Sequence, residues 1–342
     1  MHEPTAPPRA GPSPAGVTLK LGSGADITQL TRRFSRRVLV RPNLVYFLWR
    51  FAANGIRTGR ALTSPRLFSD TPAIGRELAE QGIVVGASEA FLTEDGQRAL
   101  REAAAGILET SRSKRVEAEI MRAASHPGQK KDFLIHLVSP EGMAPDDPLL
   151  KLALDRKLLE IVAAYLGLWP CLHSIGAWLN HPTDAPPKLS QLWHSDPEDM
   201  KLVKAFIYLT DVDERCGPFS YVPGTHPFGS GTGAARTLKQ RVPDDLMTRV
   251  FPSESWRVCT GPAHTMILAD TVGFHRGGKP IEGRRILITL TYTSGAPMTH
   301  RTLWVRGTPT WASSAIQRAA FGSLEGAPPP RPKKKAGKTG FS

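Results

Sequence analysis

The sequence predicts a mainly β fold with flanking helices, and two textures along the chain predict it. After Leu168, short runs rich in β-branched and aromatic residues alternate with Pro, Gly and Asp turns: "CLHSIGAWLN", "SQLWHSD", "LVKAFIYLTD", "FSYVPG", "HTMILAD" and "RRILITLTYT". Short strands at that spacing suggest a sandwich or barrel. Between residues 70 and 168, by contrast, apolar residues recur mainly at helical spacing. There is no internal repeat.

In chain order, the first 18 residues are rich in Pro, Gly and Ala and read as a disordered N-terminus. Residues 19–60 read as a basic helical arm. Leu30, Phe34 and Val38 recur at helical spacing among arginines, Pro42 breaks the pattern, and Asn43 can cap a second short helix through Phe51. This arm is expected to pack on the body; contact with a membrane surface through residues 30–60 is the other reading. Compact structure then starts at Asp70: "DTPAIGRELAEQGIVVG" predicts a capped helix, a stop at Gly82 and a short strand. Residues 93–122 are mostly helical, with Thr93 as N-cap, and "DFLIHLV" (132–138) is a strand candidate. A single helix is expected from Pro148 to Leu166, with acids before it and Gly167 after it. Residues 61–168 thus form a helical part and 169–310 a β core within one domain spanning 61–320, followed by a disordered basic tail, 321–342.

At 342 residues, with 40% hydrophobic and 22% charged residues, the composition is that of an ordinary globular protein. The N-terminus lacks the apolar core of a secretion signal, and the longest apolar run, "NLVYFLW", is too short to span a bilayer. Cys171, Cys216 and Cys259 lie far apart with no CxxC pair, which argues for reduced thiols and a cytoplasmic location. The net charge of +13 is uneven: residues 18–60 carry nine Lys/Arg and one Asp, the last 16 residues carry five Lys/Arg and no acid, and residues 61–326 are neutral. Basic extensions on a neutral body give no reason to expect specific nucleic-acid recognition.

The chemistry-bearing residues begin at "SQLWHSDPED". On a strand, His194 and Asp196 would point the same way and Ser195 oppositely. Further on, "TVGFHRGGKPIEGRRILITL" places His275 after a strand-like run. Two histidines and a carboxylate, two of them from one strand and the third from a distant one, make the facial triad of non-haem Fe(II) oxygenases, which leaves three metal positions open. A 2-oxoglutarate can fill two of these and O2 the third. The far carboxylate of that cosubstrate needs a cation, ideally an arginine about ten residues beyond the second histidine.

Together, "WHSDPED", "VKAFIYLTDVDERCGPFSYVPGTHPFG" and "FHRGGKPIEGRRILITLTYTS" resemble the phytanoyl-CoA dioxygenase family of Fe(II)/2-oxoglutarate oxygenases. The resemblance is strongest from about 170 to 295 and extends loosely back to about 70. It implies a double-stranded β-helix (jelly-roll, cupin-like) barrel faced by helices, with residues 61–320 as the dioxygenase domain. It also implies Fe(II), 2-oxoglutarate and O2 as cofactor and cosubstrates. The expected reaction hydroxylates a small-molecule or acyl-type substrate and releases succinate and CO2. His194, Asp196 and His275 match the family's iron ligands, and Arg285 its cosubstrate anchor, because Gly283 aligns with a glycine two residues before that arginine. Arg284 is the alternative, since a shift of one residue exchanges strand faces. Asn180 and Gln191 stand where relatives add polar contacts to 2-oxoglutarate. The carboxylate of Asp196 favours hydroxylation over halogenation, which uses a small residue there.

Other polar residues read as structural. His226 in "VPGTHPF" belongs to a loop, His173 and His181 to core and surface, His264 to a strand start, and Glu198 and Asp199 to a loop. Trp193 reads as core or substrate wall. Two rival functions remain: a cupin-like Fe(II) oxygenase that does not use 2-oxoglutarate, and a non-catalytic barrel serving as a binding module through its basic extensions.

Overall fold

A computed structural model describes residues 42–125, 132–138, 142–238, 241–303 and 305–322. The chain divides into two units, Met1–Val45 and Tyr46–Ser342, and both sheets and the candidate site belong to the second. The expected helix around Leu30, Phe34 and Val38, and nearly all of the basic tail, lie outside the described residues.

Helix ends follow local chemistry. Helix Thr71–Gln81 carries Pro72 in its first turn and ends at Gly82, whose φ of 77° lets its N–H reach the Leu78 carbonyl. Helix Glu94–Ser111 starts at Thr93, whose hydroxyl accepts from Gly96 N–H. The single helix expected over Pro148–Leu166 is instead two, Pro148–Ala153 and Arg156–Leu166. Asp155 causes the break: its carboxylate caps the second helix at Leu158 N–H and also accepts from the Thr93 hydroxyl and N–H. One buried acid therefore ties two helix starts together. A Cβ on Gly96 would come within 2.5 Å of that carboxylate, so only glycine fits there.

The arm differs from the capped helix expected after Pro42. Helix Pro42–Phe47 includes Asn43, passes into a π-helical turn at Leu48–Ala53, and a further helix spans Gly55–Thr63. Asn54 takes the junction, donating to the Trp49 carbonyl and accepting from Gly295 N–H. Arg57 binds the carbonyls of Trp169, Pro170 and Ala319, so residues 46–60 pack on the body. Phe321, assigned to the tail from sequence, is the buried last residue of a helix, Ala315–Phe321, capped by Ser314 and Gln317.

Eleven strands are described: β1 (Ile83–Ala87), β2 (Leu134–His136), β3 (Cys171–Asn180), β4 (Trp193–His194), β5 (Val203–Tyr208), β6 (Phe219–Tyr221), β7 (Arg241–Val242), β8 (Arg257–Cys259), β9 (Thr265–Ala269), β10 (His275–Gly277) and β11 (Arg285–Thr293). The short β7 and β8 were not anticipated from sequence. The strands form two antiparallel sheets, ordered β1-β9-β5-β11-β3-β2 and β7-β4-β10-β6-β8. Among the described residues, strand pairing closes no continuous barrel. From β3 to β6 the chain passes from one sheet to the other at every step, and it does so again from β8 to β11.

Alternation on β11 gives the large sheet two apolar faces. Ile286, Ile288, Leu290 and Tyr292 join the core that includes Leu158, Leu159 and Val162 of helix Arg156–Leu166. Leu287 joins Tyr208, Phe219, Tyr221 and Ile267, which pack strands of both sheets against one another. The candidate site is built at the edge of this second, inter-sheet core. No described helix is long and apolar enough to cross a membrane.

Candidate functional site

Strands β4 and β10 pair antiparallel with His194 opposite His275. β4 ends at His194, so strand alternation does not carry Asp196 to the same face, contrary to the expectation from sequence. The next loop does so: Ser195 Oγ donates to the Val272 carbonyl at 2.7 Å, and Asp196 N–H to the Thr271 carbonyl at 2.8 Å. Asp196 Oδ1 then lies 3.8 Å from His194 Nε2, and its Oδ2 lies 3.3 Å from His275 Nε2. One donor atom from each of His194, Asp196 and His275 falls within 4.8 Å of the other two.

The backbone selects the imidazole tautomers. His194 Nδ1 faces the Leu192 carbonyl at 2.8 Å, and His275 Nδ1 the Gly273 carbonyl at 3.0 Å. A carbonyl only accepts, so each Nδ1 carries a proton, which leaves each Nε2 as the ring nitrogen available to a metal. Burial, helped by the neighbouring His275, lowers the His194 pKa to about 4, so it stays neutral at physiological pH. Burial opposes ionisation of Asp196, yet the Lys204 ammonium against its Oδ2 outweighs that cost and holds the carboxyl well below its usual range.

Lys204 was not singled out from sequence. It lies on β5 with its side chain 13% exposed, Nζ 2.6 Å from Asp196 Oδ2 and 2.9 Å from Glu198 Oε1. Those two carboxylates overcome the cost of burial and raise its pKa. A signal was present: a lone lysine interrupts "LVKAFIYL" two residues before Phe206 and four before Tyr208, so it shares their strand face.

The two candidate arginines part company. Arg284 is exposed in the turn before β11. Arg285 opens β11 in register with Asn180 of β3, is 3% exposed, and has no partner for Nε or Nη1. It reaches across the inter-sheet space to β10, where a Cβ on Gly277 would lie 3.0 Å from its Nη2. Burial lowers the Arg285 pKa, opposed by nearby Tyr208 and Cys216. Asn180 is buried beside it. Gln191, also buried, accepts from Lys188 N–H through Oε1, while its Nε2 has no partner.

The remaining polar residues have structural partners. His226 is buried with Nε2 on the Ala79 carbonyl, and His173 meets Thr299 Oγ1. His181, one of the pair assigned to core and surface, is buried, with both ring nitrogens on carbonyls, those of Pro182 and Asp132. His264 stands just before β9 with φ 71°. Asp199 is no simple loop acid: it is fully buried, accepts from Trp49 Nε1 and the N–H groups of Met200 and Ser294, and burial pushes its pKa up to about 6. Trp193 is core, its Nε1 donating to Asp244. A cavity of about 350 Å³ beside the arm, lined by Arg50, Leu62, Arg66, Glu160, Trp169 and Ile316 among others, shares no residue with this site.

Two imidazole lone pairs and one carboxylate make a donor set suited to a divalent transition metal. The buried, half-unpartnered Arg285 guanidinium calls for an anion, ideally a carboxylate.

No family model matches the chain, and no curated protein matches it. Solved structures of similar shape include EctD from S. alaskensis with bound Fe (20% identity, 67% of this chain and 79% of that one, TM-score 0.43). The carbocyclase SnoK from nogalamycin biosynthesis, described as non-heme and alpha-ketoglutarate-dependent, is another (19%, 70% and 88%, TM-score 0.44). HygX from Streptomyces hygroscopicus, with nickel and 2-oxoglutarate bound, is a third (18%, 77% and 95%, TM-score 0.41). With identity at or below a fifth and TM-scores under 0.5, these likenesses carry no part of the argument.

Proposed function

We propose that this chain is an Fe(II)- and 2-oxoglutarate-dependent oxygenase that hydroxylates a C–H bond of a small-molecule or acyl-type substrate, built on the plan of the phytanoyl-CoA dioxygenase family. One observation carries the reading: the His194–Asp196–His275 donor set and a buried Arg285 whose Nε and Nη1 lack partners border the same inter-sheet core. The alternation of the chain between two sheets is the order a double-stranded β-helix requires, which supports the fold reading.

His194 Nε2, His275 Nε2 and one oxygen of Asp196 would hold the metal. Arg285 would grip the distal carboxylate of 2-oxoglutarate, and the unpartnered Gln191 Nε2 and the buried Asn180 are candidates for further polar contacts. When bound, Fe(II) with 2-oxoglutarate supplies the oxidising power to insert one oxygen atom of O2, leaving succinate and CO2. The chain's own task is positioning and exclusion of water. Phe219 stacks 5.7 Å from His275 and packs 4.4 Å from Phe206, which makes an apolar wall beside the donors.

The geometry favours this reading over a metal oxygenase without 2-oxoglutarate. An unpaired buried guanidinium costs several kcal/mol, and a carboxylate cosubstrate would remove that cost. A non-catalytic module gives no reason for two Nε2 atoms and a carboxylate to converge within 4.8 Å of one another. The test is substrate-stimulated succinate release across a metabolite panel, alongside Mn(II) titration of the wild type, His194→Ala and His275→Ala. Mn(II) binding that survives in both variants, or turnover without succinate, overturns the proposal.

A further inference from the structure

The least expected group in the site is the ammonium of Lys204. It is largely shielded on β5 and bonded to Asp196 Oδ2 at 2.6 Å and Glu198 Oε1 at 2.9 Å, while Oδ1 of Asp196 faces His194. A carboxylate whose second oxygen is held by a fixed cation is a weaker donor to a metal, and the cation itself repels a divalent ion. The same charge attracts a dianion entering that space. Glu198 moderates both effects.

We infer that Lys204 sets the balance of loading: it weakens metal binding taken alone and strengthens the binding of dianionic 2-oxoglutarate to the metal-loaded protein. This rests on the metal and cosubstrate reading above. A side chain that merely props Asp196 in place has a different signature, because its loss weakens both steps. A fixed charge moves the two affinities in opposite directions.

Calorimetric titration with Mn(II), and then with 2-oxoglutarate into the Mn(II)-loaded protein, separates the two. For Lys204→Met the expected result is Mn(II) binding tightened by roughly 10-fold or more and 2-oxoglutarate binding weakened by a similar factor, since unit charges a few ångström apart interact by several kcal/mol at protein dielectric. Glu198→Gln, a change in the loop that leaves β5 intact, is expected to do the reverse: weaker Mn(II), tighter 2-oxoglutarate. The double variant removes one charge of each sign and should return both affinities toward wild type. If Lys204→Met weakens both ligands, or Glu198→Gln shifts both in the same direction, the inference is overturned. If wild type binds no Mn(II), the metal reading itself fails, which is a distinguishable result.

Discussion

Gly277 on β10 and Arg285 on β11 face one another across the space between the two sheets, with only 3.0 Å between a Cβ built on the glycine and Nη2 of the arginine. The neighbouring strand position thus has no side chain because the guanidinium occupies its room. Gly277→Val should push Arg285 aside and raise KM for 2-oxoglutarate at least 10-fold while leaving Mn(II) affinity within about twofold. A displaced guanidinium loses both the charge contact and its alignment with the carboxylate. An unchanged KM would show that Arg285 accommodates the new side chain.

Arg285 and Arg284 differ by one residue and by face. Removing one partner of a buried charge pair costs roughly 3–5 kcal/mol, so Arg285→Ala should raise KM for 2-oxoglutarate by about two to three orders of magnitude. Arg284→Ala, at an exposed turn, should be near neutral. Steady-state succinate assays of the two variants give the comparison, and equal effects would remove Arg285 from its proposed role.

His194 makes the stability of the metal-free protein depend on pH. Its pKa falls from 6.5 to about 4 on folding, chiefly through burial. The unfolded chain therefore takes up this proton more readily than the folded one. The contribution is complete above about pH 6.5 and is lost as pH falls toward 4, in total roughly 3 kcal/mol. Urea unfolding of the metal-free wild type and His194→Gln at pH 7 and pH 4.5 should show a smaller pH-dependent loss in the variant. Parallel losses would count against the burial of this imidazole.

Trp49 donates its indole N–H to Asp199 at 2.9 Å, linking the arm to the loop that carries Asp196. Trp49→Phe keeps the ring but leaves a buried carboxylate short of one donor. The expected cost is about 1–3 kcal/mol of unfolding free energy, read by denaturant titration. A neutral result would mean that the other partners of Asp199, the Met200 and Ser294 amides among them, satisfy it without the indole.

How much was legible in the sequence depends on how local each determinant is. The caps at Thr93 and Gly82, the strand runs from Cys171 to Thr293 and the residue types of the candidate donor set are written in neighbouring residues, because capping and two-residue alternation act over a few positions. The short strands β7 and β8 carry too few residues for alternation to register, and only their partners in the small sheet make them strands. The break at Asp155 was hidden for a related reason: an acid can also sit inside a helix, and the Thr93 groups that hold this carboxylate at the second helix start lie 62 residues away. Lys204 likewise reads as an anomaly in an apolar run until the fold brings Asp196 and Glu198 onto its ammonium. The sequence by itself could name Arg284 and Arg285 as a pair. Which of them enters the interior was decided by the register of β11 against β3, where Arg285 stands opposite Asn180. Register is a property of two strands held by many long-range contacts at once, and no single stretch of chain contains it.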